Sequence, residues 1–225
     1  MTVLHLDDET EAADLAAFLS RLLRYDRGAA VRLQAAGTAL AVFGRPPSFD
    51  VLAIRAVRLA KPYEDGLDVT LDVTVSAGEF LESVDERAAT AAVPGAVTGP
   101  PWAGVLPPRG GWRSEPGLPA PDSLRATVAA AVGEFRSRTE ELAPERRDRA
   151  ELDRIGRDIW SREIGRTRLP VRAVHAAQSL GFLRPGTGPA DTALFSSGAW
   201  LRLRTPYGSI AVRRAGLGSL GVSVR

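Results

Sequence analysis

Apolar side chains recur at helical spacing near the start of the chain and predict its first element. They are Leu15, Phe18, Leu19, Leu22 and Leu23. This spacing places all five on one stripe of a helix. Asp7 and Asp8 precede the stripe, where acidic side chains cap a helix, and Gly28 follows it, where glycine commonly ends one. The sequence therefore predicts an amphipathic helix that ends near Tyr25.

The next stretch has the pattern of β-strands. The candidate strands cover residues 30–35, 39–43, 49–59 and 67–75. The third is almost continuously apolar, which is typical of a central strand covered on both faces. The fourth alternates, with its valines and leucines on one face and Asp68 and Asp72 on the other. We therefore expect residues 1–93 to form a helix packed on an antiparallel sheet of about four strands.

Residues 94–121 interrupt this pattern with a stretch rich in proline and glycine. It holds eight of the 16 prolines and six of the 22 glycines, so neither a helix nor a central strand can pass through it. It also contains Trp102 and Trp112, which are too apolar for a free linker. We interpret it as an extended strap that the two tryptophans pin to the rest of the protein. A lid over a ligand, or an anchor for a partner, is the alternative interpretation.

Beyond the strap, the pattern predicts mostly helices. Apolar residues at helical spacing indicate helices over about 122–142, 147–164 and 171–180. Alternating residues on either side of a turn then indicate a hairpin of strands 199–204 and 209–214. The predicted fold class is therefore α+β. Its three parts are the acidic half 1–93, the strap 94–121, and the helical half 122–225 with its basic C-terminal hairpin.

The two halves carry opposite charge. Residues 1–121 hold 11 basic and 16 acidic side chains, a net charge of −5, whereas residues 122–225 hold 18 and 11, a net charge of +7. A basic end attracts an anionic surface. The acidic half of a second copy could provide that surface, so self-association is one expectation. Arginine richness alone is weak evidence. Of the 29 basic residues 28 are arginine and asparagine is absent, a bias typical of a GC-rich bacterial genome.

Several function classes find no support in the sequence. There is no cysteine, which removes disulfides, thiolate metal sites and a cysteine nucleophile. No apolar run approaches the roughly 20 residues of a membrane span, and the acidic N-terminus lacks a signal-peptide pattern, so we expect a cytoplasmic protein without a membrane partner. Neither a G-x-S-x-G elbow nor a phosphate-binding loop is present. We therefore favour a protein that is not an enzyme and expect no catalytic residue, metal or cofactor.

The order of the last elements resembles that of a winged helix. The resemblance covers residues 147–214, where helices precede a two-stranded ribbon, and the stretch LPVRAVHAAQSLGFL is similar to the recognition helix of that family. Its small apolar residues would pack inward and leave Arg172, His175 and Gln178 facing outward. The resemblance implies that these side chains enter a groove of nucleic acid, where arginine and glutamine can read base edges.

The predicted hairpin adds a basic surface next to this helix. Its alternation leaves Trp200, Arg202, Arg204 and Arg213 on the outer face, beside Arg214. Like charges on one face of two strands repel each other unless an anion covers them. An aromatic ring among arginines also suits contact with a nucleic-acid backbone together with base stacking.

Two functional hypotheses follow from the sequence. The first is a nucleic-acid-binding protein that uses the predicted helix and hairpin. The second is a protein–protein adaptor or structural subunit, in which the basic half contacts an acidic protein partner. In the second hypothesis, Trp102 and Trp112 of the strap supply the apolar anchor.

Overall fold

One antiparallel sheet of eight strands runs through the computed structural model, which describes residues 2–143, 145 and 147–214. From one edge to the other the strands are β5 (Thr70–Ser76), β2 (Ala30–Ala36), β3 (Ala39–Gly44), β4 (Leu52–Arg58), β11 (Gly208–Arg213), β10 (Trp200–Thr205), β9 (Ala193–Ser197) and β8 (Arg113–Glu115). The strands of the two halves meet where β4 pairs with β11, with Ala53 opposite Ile210. Both halves of the chain therefore share one sheet.

The helices lie on one face of this sheet, which we call the inner face. They are α1 (Glu9–Tyr25), α2 (Ala77–Glu82), α3 (Pro121–Glu140), α4 (Arg149–Trp160) and α5 (Val171–Ser179). Helix α1 packs on β4, α2 on β5 and β2, and α5 on β11, while α3 and α4 pack on α5. A single buried apolar cluster links the helices and strands of both halves. A small second sheet joins β1 (Val3–His5), β7 (Thr90–Ala92) and β6 (Val84–Asp85).

A buried arginine ties α1 to both halves of the sheet. Arg55 of β4 is 5% exposed and its guanidinium lies 2.7 Å from Glu11 and 3.5 Å from Asp14. It also donates a hydrogen bond of 2.9 Å to the carbonyl of Tyr207, in the turn between β10 and β11. Arg184 contacts Asp14 at 2.7 Å from the other side. These four side chains form the Arg55 network, in which every carboxylate faces at least one arginine.

The strap crosses the opposite, outer face of the sheet. Ala96 forms a bridge with Val75 of β5, and the guanidinium of Arg32 on β2 donates to the carbonyl of Ala103. Trp102 and Leu106 then pack on a second apolar cluster of the sheet. That cluster comprises Phe43, Leu52, Ile54 and Ala211. Strand β4 is thus covered on both faces at its start, as its continuous apolar sequence predicts.

The α+β class is confirmed, with the N-terminal helix on an antiparallel sheet and the hairpin after the C-terminal helices. The winged-helix resemblance is not confirmed. A wing is a free ribbon, but here β10 and β11 lie inside the sheet with β9 and β4 as their outer neighbours. A recognition helix must be accessible, but α5 lies between β11 and the pair α3 and α4.

Candidate functional site

The structure divides the predicted site residues between two surfaces. Arg172 and His175 of α5 lie on the inner side of the sheet, where they line a groove among the helices. Gln178 of the same helix is exposed and does not line that groove. Trp200 and the hairpin arginines lie on the outer side, because β10 and β11 turn Leu201, Leu203, Ile210 and Val212 toward the core (2% exposed or less). The predicted helix and hairpin residues therefore do not form one continuous surface.

Three arginines and three aromatic rings lie together on the outer face of β9, β10 and β11. Arg204 lies over Phe195 with 4.9 Å to the ring centroid. Arg213 lies 5.8 Å over Trp200, and Arg202 lies 5.8 Å over Trp112 of the strap. We call this surface the arginine–aromatic face. Its residues are Trp112, Phe195, Trp200, Arg202, Arg204 and Arg213.

The charge of this face is not compensated within the part of the chain that the structure describes. Within the described residues, Arg202, Arg204 and Arg213 form no ion pair with a carboxylate. The Nε of Arg202 is buried and has no hydrogen-bond acceptor there. Burial, and next the nearby charge of Arg204, lower the pKa of Arg202. Arg202 is half-buried, and Arg204 and Arg213 are exposed. Like charges on neighbouring strands repel each other, so an anion bound here would stabilise the surface.

The other end of the outer face is electrostatically balanced. Arg32 contacts Asp72 through two hydrogen bonds, of 2.7 and 2.9 Å, and Gln34 donates to the same carboxylate at 3.0 Å. The hydrogen bond from Arg32 is the largest cause that holds the pKa of Asp72 below its ordinary value. Asp68 is exposed and hydrogen-bonds through its backbone to Asp65. Asp72 is therefore engaged by side chains of the neighbouring strand β2.

The remaining predicted residues support this face or border it. Arg214 donates from its guanidinium to the carbonyl of Gly198 and from its backbone to Ala199 at 2.7 Å, so it fastens the turn between β9 and β10. The indole of Trp112 donates to the carbonyl of Pro108 at 3.0 Å, which fixes the ring beside Arg202. Trp102 borders a cavity of about 340 Å³ between the strap and β11.

A row of aromatic rings lines the inner groove, and one of them, His175, is among the site residues that the sequence predicts. The groove has a volume of about 790 Å³ and is open to solvent. Its rings come from α1, the loop after β3, α3, α4 and α5. They are Tyr25, Phe49, Phe135, Trp160 and His175. Helical spacing places two of these rings on the inner faces of their helices, but it does not show that they stay partly open.

Metal binding and membrane insertion find no support in residues 2–143, 145 and 147–214. No three histidine, aspartate or glutamate side chains lie close enough there to hold a metal ion. No helix in these ranges combines the length and the apolar character needed to cross a bilayer.

Comparison with known proteins connects the chain to two uncharacterised sequence families. Residues 1–104 match the family described as Domain of unknown function (DUF8010). Residues 107–217 match the family described as Domain of unknown function (DUF8185). No curated protein and no solved structure shows significant similarity to the chain.

Proposed function

We propose that this protein binds nucleic acid without catalysing a reaction, and that the arginine–aromatic face is its binding surface. The observation that carries the proposal is the grouping of three arginines without carboxylate partners around three rings on one face of the sheet, among the described residues. Guanidinium groups contact phosphates, and rings stack on bases whatever their sequence. Such a protein would meet its ligand in the cytoplasm, which is the location we propose.

A single strand fits this surface better than a duplex. The face is a sheet surface, and its arginines lie among aromatic rings over three adjacent strands. Sheet surfaces of this composition bind unpaired bases, which are free to stack. Reading a duplex in the major groove needs an accessible helix or ribbon. Here α5 is packed between two layers, and β10 and β11 have neighbours on both sides.

The test is fluorescence anisotropy with a labelled oligothymidine, an oligouridine and a duplex over a series of salt concentrations. The wild type is compared with the triple variant Arg202→Ala, Arg204→Ala, Arg213→Ala. Each phosphate contact to a single strand contributes about 0.7 to the slope of log affinity against log salt, so the slope should become flatter by about two units. A second triple variant at exposed arginines elsewhere, Arg87→Ala, Arg136→Ala, Arg168→Ala, has the same net charge and should keep the wild-type slope.

Stacking is tested separately from charge. Trp112→Leu removes a ring and leaves every arginine in place. Loss of one base–ring contact is worth about 1–3 kcal/mol, so the affinity should fall while the salt slope stays at the wild-type value. Absence of binding to any nucleic acid at low salt would refute the proposal. An equal loss of slope in both triple variants would also refute it, because net charge alone would then explain binding.

The second candidate is a protein–protein adaptor. It is favoured by the cavity of about 340 Å³ where Trp102, Trp200 and Arg213 meet the half-exposed Val105 of the strap. An apolar side chain of an acidic partner could enter this cavity while its carboxylates face the arginines. The two candidates differ in purification. A nucleic-acid binder carries material that absorbs at 260 nm and releases it in high salt, whereas an adaptor carries none.

A further inference from the structure

The groove on the inner side of the sheet is lined by a row of aromatic rings that contact one another. Successive ring centroids lie 5.2 Å apart from Tyr25 to Phe49, 5.0 Å from Phe49 to His175, and 4.8 Å from His175 to Trp160. Phe135 follows at 5.9 Å from Trp160. The volume of about 790 Å³ lies in the range of small-molecule sites, which are mostly apolar with a few polar groups.

The charged groups of this groove differ in whether they have an ion-pair partner. Its two carboxylates already have cationic neighbours, since Asp50 contacts Arg45 at 2.7 Å and Asp153 lies 3.8 Å from Arg149. Its two arginines, Arg157 and Arg172, form no ion pair within the described part of the chain. Among the described residues, the groove therefore presents two arginines without an ion-pair partner beside its rings.

Arg172 is the more informative of the two arginines. The residue is half-buried, and its Nε is fully buried without a hydrogen-bond acceptor among the described residues. A buried donor without an acceptor is costly and is uncommon in folded proteins. Burial also lowers the pKa of His175, so the imidazole is neutral at pH 7 and contributes a ring rather than a charge.

We propose that the groove binds a small aromatic anion, whose ring packs against the open side of the aromatic row at Trp160 and His175 and whose carboxylate or phosphate contacts Arg172 and Arg157. The planar guanidinium of arginine matches the oxygens of both anionic groups. Stacking of the ligand ring would use the open sides of the aromatic row. This site is separated by the sheet from the arginine–aromatic face, so it stands or falls independently of nucleic-acid binding.

The probes are three naphthalene compounds of nearly equal shape: 2-naphthoate, 2-naphthalenemethanol and 2-naphthylmethylamine. Binding is followed by the indole N–H signals in ¹H–¹⁵N correlation spectra. The chain has four tryptophans, and Trp160 lines the groove whereas Trp102, Trp112 and Trp200 lie on the outer side. We expect 2-naphthoate to shift the Trp160 signal saturably and to bind at least about tenfold more tightly than the alcohol, since a charged hydrogen bond is worth that much. The amine should bind more weakly still.

Arg172→Met and Arg157→Met should each weaken 2-naphthoate binding by about tenfold or more, with little change for the alcohol. Arg157 is exposed, so its replacement leaves the fold intact and keeps the test valid if Arg172→Met is unstable. Arg136→Met on the exposed side of α3 is the matched control and should keep wild-type affinity. A Trp160→Phe variant assigns the signal.

Three results would overturn the inference. The first is the absence of a saturable Trp160 shift at millimolar 2-naphthoate. The second is equal binding of all three probes, which would indicate an apolar groove without charge selection. The third is a shift confined to the outer-face tryptophans, which would assign the anion to the arginine–aromatic face.

Discussion

Replacement of Arg55 by methionine is expected to destabilise the whole fold. The Arg55→Met variant keeps an unbranched side chain of similar length but removes the guanidinium that faces Glu11 and Asp14. Breaking a buried ion pair typically costs about 3–5 kcal/mol, because the partner charge stays behind in the interior. The carbonyl of Tyr207 would lose its donor as well.

The structure places the expected cost at the lower end of this range. Glu11 keeps a contact of 3.2 Å with Arg58, and Asp14 keeps its contact of 2.7 Å with Arg184. Neither carboxylate is left without a cation, so we expect a loss of about 3 kcal/mol. For a domain of this size, 1 kcal/mol changes the melting temperature by about 2–4 °C, so the variant should melt about 6–12 °C lower.

The measurement is urea denaturation followed by circular dichroism, with Arg58→Met as the matched control. Arg58 lies on the same strand and contacts Glu11 and Asp7, but its side chain is 70% exposed. Exposed ion pairs contribute at most about 1 kcal/mol. If the two variants differ by less than about 1 kcal/mol, the Arg55 network does not hold the halves together and the reasoning is wrong.

Three further predictions concern pH and two glycine positions. Burial lowers the pKa of His175 from its ordinary value near 6.5. Below about pH 6.5 the unfolded chain therefore binds a proton that the folded protein does not, so the free energy of unfolding should decrease as the pH is lowered. His175→Gln should flatten this dependence in urea titrations, and parallel curves for variant and wild type would contradict it. Gly133 lies within α3 with open space where a Cβ would stand, so Gly133→Ala should raise the melting temperature through a gain of about 0.5–1 kcal/mol. Gly165→Ala should lower it, because Gly165 has φ +55° and its Cβ would approach Pro119 at 3.2 Å.

Periodicity is sufficient to predict the elements that carry their own apolar pattern. Helix α1 and strand β4 bury the apolar residues that their spacing in the sequence indicates. Strand β8, in contrast, consists of Arg113, Ser114 and Glu115, none of which is apolar. It forms because the edge of β9 offers backbone hydrogen-bond partners. The apolar pattern of residues 113–115 alone cannot indicate this pairing.

The candidate sites could be predicted only where one element contains them. Alternation along the hairpin places Arg202 and Arg204 on a common face, and the structure has them there. The inner groove is different, since Tyr25, Phe49 and Trp160 come from distant segments. Their proximity depends on how α1, α4 and α5 stack, which is decided by packing between elements rather than by spacing within them.

The pairing of β4 with β11 has a consequence for how the chain reaches this structure. The partners Ala53 and Ile210 are far apart in sequence, so the pairing of β4 with β11 can form only after a long loop has closed. Until then β4 is an open edge with apolar side chains on both faces, which is a template for pairing with other chains. We therefore expect slow refolding that competes with aggregation, and the yield should fall as protein concentration rises.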